Sequence, residues 1–88
     1  MTKITHLTLD VLKPHQPDIV EFATRLAAHG TGSAVTIQLL EMDEQTESLE
    51  VRIDGEDIDY EGIKDTIGAL GGSLHSVDCI TVDVKNKK

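Results

Sequence analysis

Leu7-Thr-Leu-Asp-Val-Leu-Lys-Pro-His-Gln-Pro17 is the stretch around which the whole chain can be laid out. Leu7, Leu9 and Val11 alternate with His6, Thr8 and Asp10. A period of two marks a half-buried strand with one apolar and one polar face. Lys13-Pro14 is expected to end it, because proline has no N–H to give to a sheet ladder. Pro17 fits the first turn of a following helix, where that donor is not needed. Asp18 and Glu21 suit the positive end of the helix dipole. Ile19, Val20, Phe22, Ala23, Leu26 and Ala27 then recur at helical spacing and predict one apolar stripe. His29-Gly30 reads as the helix C-terminus, and Thr31-Gly32-Ser33 as loop.

The same reading extends down the chain. Ala34 to Met42 is a second strand with Val35, Ile37 and Leu39 on one face, although Leu40-Glu41-Met42 blurs the alternation. Asp43 to Glu47 reads as a hairpin connection, its acidic side chains solvated at the tip. Ser48 to Asp54 is a third strand, with Leu49, Val51 and Ile53 inward and Glu50, Arg52 and Asp54 outward. Asp59 is a good N-cap for a second helix. Tyr60, Ile63, Ile67 and Leu70 supply that helix's apolar face. Gly62 and Gly68 each weaken it by about 1 kcal/mol relative to alanine. Gly71-Gly72 closes it. Leu74 to Val84 is the last strand; its two halves are out of phase, and a β-bulge near Asp78 would reconcile them. Residues 1–4 and 85–88 are expected to be a frayed lead-in and tail.

The order β-α-β-β-α-β predicts an α+β, ferredoxin-like fold over a single domain, residues 1–88. Right-handed crossovers put both helices on one face of a four-stranded antiparallel sheet of order 4-1-3-2. The central first and third strands then present their polar residues on the face that the helices leave open.

Composition narrows the possible functions. At 88 residues the chain is one domain. A domain of this size buries only roughly 60–65% of its unfolded surface, so self-association would add needed stability. Sixteen acidic against eight basic residues give a net charge of −8. This argues against nucleic acid and against an anionic membrane surface as partners. Cys79 is the only cysteine, so no intrachain disulfide can form; a buried structural thiol is expected there. The sequence carries no hydrophobic run long enough to span a bilayer and no signal-peptide region at its start, so a cytoplasmic location is expected.

Few residues suggest chemistry. Antiparallel pairing of the first and third strands brings Asp10 opposite Glu50, and Thr8 opposite Arg52. Two facing carboxylates repel. Arg52, protonation, a partner subunit's base or a bound cation could offset that repulsion. His75 opens the last strand at the same end of the sheet. Asp10, Glu50 and His75 are therefore the metal-ligand candidates, with calcium or magnesium as the divalent cation. No catalytic or cofactor-binding residue can be assigned. The loop Asp54-Gly-Glu-Asp-Ile-Asp59 lacks the glycine and terminal glutamate spacing of an EF-hand. The connection Lys13 to Pro17 has no arginine to cradle a phosphate. The sheet face has no aromatic platform for RNA bases.

Three sets of residues carry a resemblance: Leu9-Asp-Val-Leu-Lys-Pro-His15 with Pro17; Gly55-Glu-Asp-Ile-Asp-Tyr60 with Ile63-Lys64; and Leu70-Gly-Gly72 with His75-Ser-Val-Asp78. In order and spacing the chain resembles the archaeal family known as domain of unknown function 211. The resemblance implies a ferredoxin-like fold and ring-like or otherwise multimeric self-assembly. It brings no activity and no catalytic residues. The resulting expectation is a non-enzymatic homo-oligomeric module that binds a divalent cation or small ligand at an acidic sheet face or subunit interface. Two alternatives stay open: an enzyme with its site assembled between subunits, and a small-metabolite regulatory domain acting in trans.

Overall fold

In the computed structural model, which describes residues 1–29 and 33–84, the expected fold is present. The elements are β1 (Thr2–Pro14), α1 (Ile19–His29), β2 (Ala34–Met42), β3 (Thr46–Asp54), α2 (Tyr60–Ala69) and β4 (Ser73–Val84). The four strands form one antiparallel sheet of order β2-β3-β1-β4. The helix end at Gly30, the loop at 31–32 and the tail at 85–88 lie outside the described residues. No helix among the described residues is long and apolar enough to cross a membrane.

The core follows strand parity. Leu7, Leu9 and Val11 of β1 and Leu49, Val51 and Ile53 of β3 are fully shielded from solvent. Phe22 and Leu26 of α1, and Ile63 and Ile67 of α2, close over them, with Ile58 sealing the approach to α2. Each such aliphatic side chain contributes roughly 1.5–3 kcal/mol by leaving water. The stripe on α1 is narrower than its sequence suggests: Val20 points into solvent.

Several boundaries move. Pro17 precedes α1 rather than opening it. Asp18 is the residue that caps, its Oδ1 accepting from the Glu21 N–H at 2.9 Å. At α2, Asp59 Oδ1 accepts from the Gly62 N–H at 3.1 Å, as its position predicts. The far end of α2 closes in a Schellman arrangement: Gly72 N–H donates to Ile67 O and Gly71 N–H to Gly68 O. Gly71 takes φ +87°, which a side chain would strain. The N-terminal residues are not a frayed lead-in, since β1 starts at Thr2 and pairs there with Val84. Nor does Lys13-Pro14 stop β1, because the ladder with β3 continues to Pro14 opposite Thr46.

The irregular phases of the edge strands have one cause. Along β1–β4 the register slips at three places, leaving Thr5, Asp78 and His75 without a cross-strand partner. Asp78 is the site that the sequence indicates. Along β2–β3 a further slip leaves Leu40 unpaired, which accounts for the blurred alternation at Leu40-Glu41-Met42. The Asp78 slip also changes the expectation for Cys79. Its thiol is exposed on the edge strand, beside Thr8 in the register, and is not a buried structural group.

Candidate functional site

Two polar constellations stand out, one on each face of β1. On the open face, register sets Asp10 against Glu50 and Thr8 against Arg52, as strand pairing predicts. The repulsion between the two carboxylates is relieved in two directions. Arg52 Nη1 donates to Glu50 Oε2 at 3.0 Å. His75 Nδ1 lies 3.2 Å from Asp10 Oδ2. The bulge at His75 gives that ring its reach, because a residue outside the ladder is re-aimed relative to its neighbours. Asp10 and His75, with Leu12 and Ser48, line a cleft of about 200 Å³.

The three metal-ligand candidates are thus only partly gathered. Asp10 and His75 meet, whereas Glu50 turns to Arg52. Among the described residues no group of three or more His, Cys, Asp and Glu side chains is arranged to hold a metal ion. Farther along the same face His6 bridges two strands: Nδ1 lies 2.6 Å from Asp54 Oδ1, and Nε2 lies 2.8 Å from Thr8 Oγ1.

The second constellation is on the helix-covered face. Lys13 and Glu47 are buried there. Lys13 Nζ donates to Glu47 Oε1 at 2.9 Å, to Pro14 O at 2.8 Å and to Pro17 O at 2.7 Å. All three donors of the ammonium are therefore used, and its stem approaches the Phe22 ring, 5.9 Å from Nζ to the ring centre. His15 completes the group. Its Nδ1 donates to Glu47 Oε2 at 2.9 Å, and its Nε2 faces the carbonyls of Asp43 and Glu44 at 3.0 and 3.1 Å. The His15 ring is raised in pKa, chiefly by its hydrogen bond to Glu47. Glu47 is held below the usual carboxylate range, first by His15 and then by Lys13.

The strands extend past the ends that Leu12 and Ser48 suggest, and this cluster lies in the extension. Lys13 continues the inward parity of Leu7, Leu9 and Val11, and Glu47 continues that of Leu49, Val51 and Ile53. Parity carried two residues further would have brought both charges into the interior, opposite one another.

The family model described as uncharacterized ArCR, domain of unknown function 211, matches residues 5–85. An uncharacterized protein of Methanocaldococcus jannaschii is 36% identical over 85 residues, covering 97% of this chain and 88% of that protein.

Proposed function

Taking as premise that the chain belongs to the uncharacterised archaeal family of domain of unknown function 211, we propose that it is a non-enzymatic module that works as a homo-oligomer. The observation that carries this reading is the apolar surface on both edge strands. Val77, Ile80, Val82 and Val84 of β4 are exposed, and so are Leu39, Leu40 and Met42 of β2. Aliphatic rows on unpaired sheet edges invite association. Because β2 and β4 run in opposite directions, β4 of one copy meets β2 of the next as an antiparallel neighbour. That contact is heterologous, and repeated around a closing rotation it generates a ring.

Analytical ultracentrifugation of the protein at micromolar concentration tests the assembly. A multimer is expected, and Val82→Lys should dissociate it while circular dichroism stays that of the folded chain. A monomer across that range sinks the reading.

The cleft favours a second role for the same module. A divalent cation there would take Asp10, and Glu50 if released from Arg52 or a neighbouring copy, as oxygen ligands in the case of calcium or magnesium, whereas the His75 imidazole would add to the shell of a softer ion such as zinc. Calorimetric titration with calcium, magnesium, manganese and zinc decides this; no heat from any of the four rejects it.

A further inference from the structure

We propose that His15 is a proton-operated clasp, which as an imidazolium fastens the connection between β1 and α1 to the turn between β2 and β3. The two segments are remote in sequence, and the ring joins them through the backbone carbonyls of Asp43 and Glu44 in the turn, 28 and 29 residues away, while its other nitrogen meets the Glu47 side chain at the start of β3.

The case rests on what faces the two ring nitrogens. Nδ1 faces a carboxylate oxygen of Glu47. Nε2 faces two backbone carbonyl oxygens, those of Asp43 and Glu44. None of these oxygens carries a hydrogen to donate while Glu47 is ionised, and the buried Lys13 ammonium at 2.9 Å keeps it so. A neutral imidazole has one donor nitrogen and one acceptor nitrogen. In this setting one of its nitrogens would direct a lone pair at an oxygen lone pair across about 3 Å, the separation of an ordinary hydrogen bond. Only the imidazolium, with a donor at each nitrogen, satisfies both sides at once. The charged groups around the ring act in the same direction on balance. The hydrogen bond to Glu47 of β3 favours the proton most, the carbonyls of Glu44 and Asp43 in the turn add to it, and partial burial of the ring and the nearby Lys13 ammonium of β1 oppose it.

Deprotonation therefore removes one of the clasp's two ends. The remaining proton stays on Nδ1, toward the charged Glu47 carboxylate, the stronger acceptor. The turn keeps its internal bonds, in which Asp43 Oδ1 accepts from the N–H groups of Gln45 and Thr46, but loses the donor to Asp43 O and Glu44 O. Lys13 and Glu47 hold the strands together beneath it. The outcome is a local loosening at one end of the sheet with the core intact.

NMR on the full chain tests this in two measurements across pH 5 to 9. The His15 ring should titrate above the ordinary imidazole value of about 6.5. Over the same pH interval, amide exchange at residues 43–46, corrected for intrinsic base catalysis, should accelerate by about tenfold for each unit by which the pKa is raised. In His15→Gln, which keeps a donor but cannot titrate, that step should vanish while the core amides of β1 and β3 stay protected. A His15 midpoint at or below 6.5, or an exchange step that survives in His15→Gln, overturns the proposal.

Discussion

The ammonium of Lys13 and the carboxylate of Glu47 meet at 2.9 Å, opposite one another in the register of the two central strands and shut away from solvent. An ion pair in such a place is expensive to break from one side, because the group left behind remains charged and dry. Glu47→Ala is expected to destabilise the fold by about 3–5 kcal/mol. Lys13→Met combined with Glu47→Leu removes both charges and fills the space. In denaturant unfolding the double variant should be more stable than the Glu47→Ala single variant. A double variant no more stable than Glu47→Ala would mean that the pair is not coupled.

The acid limb of stability has named contributors. Glu47 is lowered by His15 and Lys13, Asp43 by the Thr46 N–H, and Asp59 by the Gly62 N–H. A carboxylate with a depressed folded pKa contributes stability that is complete above its unfolded value, about 4. The contribution is lost as pH falls through the folded value. Asp59→Asn keeps a good N-cap but removes one titrating group. Its melting temperature should match the parent near pH 7 and fall less steeply below pH 4. Parallel curves for the two proteins would remove Asp59 from the list of contributors.

Two glycines of α2 and its end should respond in opposite ways. Gly68 has open space around the position of a Cβ, so Gly68→Ala should stabilise by about 0.5–1 kcal/mol through helix propensity alone. Gly71 has a positive φ, and Gly71→Ala should destabilise by about 1–2 kcal/mol. Equal shifts of the same sign in the two variants would contradict the Schellman closure.

Much of this fold can be read from alternation and capping. Leu7, Leu9 and Val11 against Leu49, Val51 and Ile53 fix which faces of β1 and β3 turn inward, and therefore that Asp10 meets Glu50. Asp59 and Gly71 mark the ends of α2 by chemistry local to each. What was hidden lies where polar residues behave as core. Lys13 and Glu47 look like the ends of their strands, since an isolated buried charge is unfavourable. They become interior residues only because each neutralises the other, a condition set by residues 34 positions apart and invisible to a local window. Gly62 is similar. It weakens the helix on propensity, yet a Cβ there would collide with the His29 ring, which reaches across to Asp59 at 3.4 Å. The Cys79 expectation failed for another reason: the residue pairs with Thr8 on the face of the sheet that the helices leave open, and hydrophobicity alone does not choose the face.

The slips at Thr5, Asp78 and His75 have a consequence for growth. A flat edge of regular hydrogen-bonding sites accepts any extended chain and can be extended without limit. An edge strand with unpaired residues at His75 and Asp78 is bent, and bulged edges are poor templates for indiscriminate addition. β4 therefore behaves as a keyed edge, open to a strand of matching curvature and closed to the repetitive stacking from which fibrils are made.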